Sequence, residues 1–210
     1  MLSGLSSRKF SAICGFIVPI VAFSCICVSI MSWSEFNWVT NALSDLGVVS
    51  GVTGFIFNFG LLFTGLLCLF FAAGLFNYFK ASITGKVGSM VFAVASVWLM
   101  CIGVFNESFW PVHFVVAVLF FITLPVALLI LMAALYLQHE TKLAIFSLIS
   151  SFIAAMPWIL YFTMPYVSGV AVPETLSSAV GSIWIIVLSY QLLKTIKSDF
   201  NSDSLRLEAK

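Results

Sequence analysis

The sequence predicts an all-α fold, a polytopic bundle of six transmembrane helices with a short amphipathic helix in the first outer loop. Hydrophobic residues make up 62% of the chain and charged residues only 8%, whereas about a quarter of the residues in soluble domains are charged. The chain also contains six apolar runs close to the roughly 20 residues that a spanning helix needs. A six-helix count, finally, places every Lys and Arg on one side of the membrane.

The six apolar runs define the helices of a single transmembrane domain over residues 1–195, followed by a short cytoplasmic tail over 196–210. The first run follows Arg8 and Lys9 and so resembles a signal peptide. Its apolar stretch is longer than a typical signal peptide has, and we therefore predict that the helix is retained. The predicted spans are 10–32, 52–79, 87–105, 113–137, 143–165 and 175–193.

Charged residues predict the orientation of this bundle. One side carries all nine basic residues, Arg8, Lys9, Lys80, Lys86, Lys142, Lys194, Lys197, Arg206 and Lys210. The other side carries only acids, Glu35, Asp45, Glu107 and Glu174. The positive-inside rule then predicts a multi-pass cell-membrane protein with both termini in the cytoplasm.

Composition argues against several other classes of protein. The net charge of +1 and the lack of a basic run predict no nucleic-acid partner. The cysteines lie inside apolar stretches without a Cys-x-x-Cys motif, so neither a disulfide framework nor a zinc site is indicated. We predict no metal site, and the sequence leaves any cofactor unknown. The five cysteines are Cys14, Cys25, Cys27, Cys68 and Cys101.

Small residues recur at helical spacing in the last two predicted spans. Because small side chains let helix backbones approach closely in lipid, these faces are expected to meet other helices, in the same chain or in a second copy. A homo-oligomer is therefore one of the predicted partners, beside the lipid bilayer. The small residues are Ser147, Ser151 and Ala155 in the fifth span, and Ser177, Ser178, Gly181 and Ser182 in the sixth.

The first outer connection, WSEFNWVTNALSDLGVVSG, has helical periodicity. Polar residues fall on one arc at 3.6 residues per turn and apolar residues on the opposite arc. Gly47 stands where a glycine commonly ends a helix. This pattern predicts an amphipathic helix at the membrane boundary, with its polar face directed either to the centre of the outer surface or simply to water. The polar arc contains Ser34, Asn37, Asn41, Ser44 and Asp45.

Ionisable groups on the same outer side predict a candidate site. Asp45, Glu107 and His113 would be costly to desolvate unless paired, and a carboxylate beside an imidazole can move protons near neutral pH. We assign these three as candidate catalytic residues, although Glu107 and His113 could equally be wet residues of an exposed turn. Glu174 follows a proline at a predicted helix start, where an acid complements the helix dipole. The candidate substrate-binding residues are Asn41, Ser44, Asn58 and Asn106.

Three short motifs give the chain a family resemblance. NALSDLG at 41–47, IFN at 56–58 and GVFNE at 103–107, followed by His113, resemble the membrane family called domain of unknown function (DUF) 998. The resemblance covers nearly the whole chain and implies a six-helix protein. Asn106 stands where the family pattern has proline. The family has no established activity, so the resemblance implies none for this chain.

The sequence leaves three functions open and does not decide whether the protein is an enzyme. The first is binding or modifying a lipid at the outer leaflet through the Asp, Glu and His side chains, with lipid as the ligand. The second is a non-catalytic accessory or scaffold subunit. The third is transport of a small solute or protons, for which the spans lack mid-membrane charges.

Overall fold

The structure is a computed structural model that describes residues 2–164 and 166–208, and the surroundings of the side chains at 7–164 and 166–196. Lys210 lies outside the described residues, and Lys197 and Arg206 lie outside those whose side chains are described.

Six α-helices account for nearly all of the described chain, as predicted, and all six are long and apolar enough to cross a membrane. The protein is thus an all-helical, multi-pass integral membrane protein. Several helices begin before their predicted span; α3, for example, begins early because the Ser82 hydroxyl accepts a hydrogen bond from the Gly85 amide at 3.1 Å. The helices are α1 Leu2–Met31, α2 Val52–Tyr78, α3 Ile83–Val104, α4 Val112–Leu137, α5 Thr141–Thr163 and α6 Ala171–Glu208.

The helices form a closed ring in chain order. Each one packs against the next, and α6 returns to pack against α1. Short connections between consecutive helices produce this arrangement, since they place neighbours in sequence side by side and antiparallel. The connections α1–α2, α3–α4 and α5–α6 therefore share one end of the ring, which we call the acidic end, and the other connections share the basic end.

An aromatic group closes the interior of the ring. Phe71, Phe92 and Trp184 are almost fully buried, and the ring centroids of Phe92 and Trp184 are 5.7 Å apart. The indole Nε1 of Trp184 donates a hydrogen bond to Ser147 Oγ at 2.8 Å. Because a buried indole N–H needs a hydrogen-bond partner, this bond fixes the register of α5 against α6.

The small-residue faces of α5 and α6 do meet other helices, and they do so within the chain. Ser177 Oγ donates to the Ala154 carbonyl at 2.6 Å, joining α6 to α5. Ser151 Oγ donates to the Pro125 carbonyl at 2.8 Å, joining α5 to α4. Pairing with a second copy of the chain stays a prediction.

The first acidic-end connection differs from its prediction, because it contains no amphipathic α-helix. Only Ser44–Val48 are helical, as a five-residue 3₁₀ helix, and Gly47 lies inside it rather than beyond its end. Side chains intercept the amides that a helix would need: Asn37 Oδ1 accepts from Val39 N at 2.8 Å, and Asp45 Oδ2 from Ala42 N at 2.9 Å. Asn and Asp compete with helical hydrogen bonds in this way, which a periodicity count does not register.

Candidate functional site

The first connection is tied by its backbone to the α5–α6 connection. The Val39 carbonyl accepts from the amides of Ser168 at 3.0 Å and Gly169 at 2.7 Å, and the Asn41 carbonyl accepts from Ala171 N at 2.9 Å. A side chain at Gly169 would collide with the backbone of Thr40 and Asn41. The acidic end is therefore one folded layer across the ring rather than three separate loops.

Gly47 connects this layer to α2 and to the α3–α4 connection. Its carbonyl accepts from Asn58 Nδ2 at 2.8 Å and from Asn106 Nδ2 at 3.2 Å. A Cβ at Gly47 would lie 2.5 Å from Asn58 Oδ1, so any larger residue here would displace the Asn58 side chain. Asn58 and Asn106 thus lie at the acidic end, where their side-chain amides hold the 3₁₀ helix in place, and their assignment as substrate-binding residues stays a prediction.

Asp45 is occupied within its own connection. Its Oδ2 accepts from Asn41 Nδ2 at 2.6 Å as well as from the Ala42 amide. Both Asn41 and Asp45 therefore shape the loop that carries Ser44. Their predicted substrate-binding and catalytic roles stay predictions.

Glu107 contacts the first connection directly. Ser44 Oγ donates to Glu107 Oε1 at 2.6 Å across 63 positions of sequence. Partial burial raises the pKa of Glu107, and so do the hydrogen bond and the negative charge of nearby Asp45. The Ser44 hydrogen bond and the charge of His113 act in the opposite direction and lower that pKa. Burial is the largest effect, so Glu107 takes up a proton at a higher pH than an exposed glutamate would.

His113, at the start of α4, is 4% exposed. Its Nδ1 lies 2.7 Å from the carbonyl oxygen of Phe105. Because a carbonyl only accepts, Nδ1 must carry the hydrogen, and a neutral ring then keeps Nε2 as an acceptor. Its predicted role in catalysis stays a prediction.

Glu174, which the sequence analysis assigned only to complementing the helix dipole, also belongs to this group of side chains. It lies in the first turn of α6, as predicted, but its Oε2 accepts from the Leu43 amide at 2.6 Å, 131 positions away. It is only 8% exposed. An ionisable residue within a span is itself a signal of a site, and the predicted span, which began at 175, left Glu174 just outside.

A groove between α4 and α5 joins these side chains to the membrane-facing surface. It has a volume of about 700 Å³, and Ser44, Glu107, His113 and Glu174 line one end, which we call the polar end. The rest of its lining is almost entirely apolar, and several of those side chains are exposed on the outside of the ring. The exposed ones include Phe114, Val118 and Ile122 from α4 and Ile159 and Phe162 from α5.

Metal binding finds no geometric support in the described part of the chain. No group of three His, Cys, Asp or Glu side chains there converges closely enough to hold a metal ion.

The fold and the acidic end define the class: an integral membrane protein of six spans, with ionisable side chains gathered at one end of its helical ring. Within that class, the chain belongs to the family described as "Protein of unknown function (DUF998)", whose model matches residues 16–191. The match confirms the resemblance seen in the sequence. No curated protein and no solved structure matches the chain.

Proposed function

We propose that this protein binds a lipid-like amphiphile, with the headgroup at the polar end of the groove and a hydrocarbon chain along the rest. The observation that carries the proposal is the continuity of the groove, which is polar at one end, apolar elsewhere and open on the outside of the ring. A volume of about 700 Å³ is also typical of small-molecule sites.

The length of the groove supports the same ligand. Its lining on α4 runs from His113 to Val126, a stretch that extends about 20 Å at the rise of an α-helix. Half of a hydrocarbon core is about 15 Å thick. A single chain that enters from headgroup depth therefore has room to lie along the groove within one leaflet.

The proposed leaflet is the outer one. Lysine and arginine lie at the basic end or in the tail that follows it, and the positive-inside rule places that end, both termini and the 196–210 tail in the cytoplasm. Cysteine accessibility tests this orientation. A membrane-impermeant maleimide should label Ser108→Cys in intact cells and spare Ala81→Cys, its counterpart in the exposed α2–α3 turn; the reverse pattern would move the site to the inner leaflet.

Photolabelling of the protein in nanodiscs tests the binding itself. Photoreactive hexadecanol should label peptides of α4 and α5, and Ala117→Phe, which fills the groove beside its polar end, should abolish that labelling. Ala133→Phe is the matched control, because Ala133 is another half-buried alanine of α4 that does not line the groove. Labelling that Ala117→Phe leaves unchanged would refute the proposed function.

A further inference from the structure

We infer that the headgroup recognised at the polar end of the groove is a cationic amine, and this inference rests on the proposed function. Three kinds of observation carry it: the hydrogen-bonding character of the side chains at that end, the carboxylates around them, and the distance to the nearest lysines and arginines.

Hydrogen-bond acceptors dominate the polar end. Glu107 and Glu174 supply carboxylate oxygens, and each has one oxygen already holding a donor of the protein, the Ser44 hydroxyl or the Leu43 amide. The Ser44 hydrogen is used in its own bond to Glu107. His113 directs its Nδ1 hydrogen to the Phe105 carbonyl, so this nitrogen is not free to donate to a ligand. A ligand that fits these groups must bring the donors.

Among the described residues, this end has carboxylates but no lysine or arginine. Asp45 and Glu174 lie close enough to Glu107 for the carboxylates to influence one another. Among the described residues, Arg8, Lys9, Lys80, Lys86, Lys142 and Lys194 all belong to the basic end. A hydrocarbon core of about 30 Å separates the two ends, whereas the Debye length at physiological salt is only about 8 Å. No described lysine or arginine can therefore neutralise the carboxylates.

An ammonium group matches both requirements, because it brings three donors and a positive charge. A hydroxyl headgroup brings one donor and no charge, so it fits less well. A phosphate headgroup brings a negative charge beside carboxylates that no described lysine or arginine neutralises, and like charges placed together oppose binding. We therefore expect the order amine, alcohol, phosphate for headgroups on the same hydrocarbon chain.

Competition on the photolabelling assay tests this order. Hexadecylamine, hexadecanol and hexadecyl phosphate carry the same chain, and each is added at pH 7 to protein in zwitterionic nanodiscs with photoreactive hexadecanol. The amine should compete at least about tenfold more strongly than the phosphate. Equal competition, or stronger competition by the phosphate, would overturn the amine headgroup while leaving the groove as a chain site. Loss of site-specific labelling altogether would instead refute the proposed function, and the inference with it.

Conservative variants assign the preference to the polar end. In Glu107→Gln and in Glu174→Gln the new amide oxygen can still accept from Ser44 or Leu43, so the fold is expected to survive, and the preference for amine over phosphate should fall by about tenfold in each. Glu35→Gln is the matched control, since Glu35 is an exposed carboxylate at the same end that does not line the groove. An amine preference that both groove variants retain would overturn the inference.

Discussion

The two ends of the helical ring differ in whether their charged side chains are exposed or buried. At the basic end most of the cations whose side chains the structure describes are exposed, namely Lys9, Lys80, Lys142 and Lys194. At the acidic end Glu35 is exposed, but the carboxylates that line the groove turn inward. Glu174 is buried on the Leu43 amide, and Glu107 is half-buried on the Ser44 hydroxyl.

This contrast separates membrane topology from binding. Exposed lysines are sufficient to orient a bundle in a bilayer. They need no hydrogen-bonded partners, so short turns are enough at the basic end. Buried carboxylates add nothing to orientation and cost free energy of desolvation. Membrane topology therefore does not explain why the acidic end buries its carboxylates. A ligand bound in the groove that opens from this end, as proposed, would give these carboxylates a role.

The largest effect on stability is expected from disrupting the contact between the first connection and the α5–α6 connection at the acidic end. Gly169→Ala places a methyl group against the backbone of Thr40 and Asn41, which cannot rotate away. We expect a loss of about 3 kcal/mol, the upper part of the range for overpacking, seen as a lower midpoint of thermal unfolding in detergent. Ser168→Ala next to it removes only one exposed hydroxyl bond to Val39 and should lose about 1 kcal/mol or less. Equal midpoints for the two variants would contradict a single folded layer.

Removing one charge at each end compares the ends directly. Glu174→Ala leaves the buried Leu43 amide without its acceptor, and we expect a loss of about 2 kcal/mol. Lys142→Ala, at an exposed lysine of the basic end, should change stability by no more than about 0.5 kcal/mol. Chemical denaturation of both variants in the same micelles measures the difference. A lysine effect as large as the glutamate effect would remove the contrast between the ends.

The pH dependence of stability sharpens the comparison at Glu107. Burial raises its pKa above the ordinary value of 4.5, so the folded state binds a proton more tightly than the unfolded state does. Stability from this group is complete below pH 4.5 and is lost as pH rises through the higher, folded-state pKa. Relative to wild type, Glu107→Gln should therefore gain thermal stability between pH 4.5 and neutrality.

The control for that experiment is Glu35→Gln, whose difference from wild type should stay constant over the same pH range because its carboxylate is exposed. If the difference in thermal stability between Glu107→Gln and wild type did not change with pH, burial would not disfavour the charged form of Glu107. Hexadecylamine should counteract the trend, since a bound cation favours the ionised carboxylate.

The smallest effects are expected at the two asparagines that share one acceptor. Asn106→Ala removes the longer bond to the Gly47 carbonyl, and Asn58→Ala removes the shorter one. Each single variant should lose about 1 kcal/mol or less, because the other amide still holds the carbonyl. The double variant should lose more than the sum, since the carbonyl is then unpaired. Strictly additive midpoints of thermal unfolding would show that the two bonds do not act on one group.

The sequence determined the helices and their order because apolar length and charge placement act locally. Six runs of sufficient hydropathy predicted six spans, and the recurrence of small residues predicted which faces of α5 and α6 would meet neighbours. The NALSDLG motif identified the family. The placement of ionisable residues on one side of the membrane directed attention to Asp45, Glu107 and His113, though not to how they are arranged.

Tertiary contacts determined the conformation of the acidic end. The loop around Asn41 and Asp45 has the periodicity of a helix, but its side chains bond the nearby amides while its carbonyls bond the α5–α6 connection. Glu174 lies at the polar end, where it accepts a hydrogen bond from an amide 131 positions away. Periodicity describes neighbours along the chain, whereas these bonds form between segments that only the closed ring brings together; this is why the helices could be predicted and the groove could not.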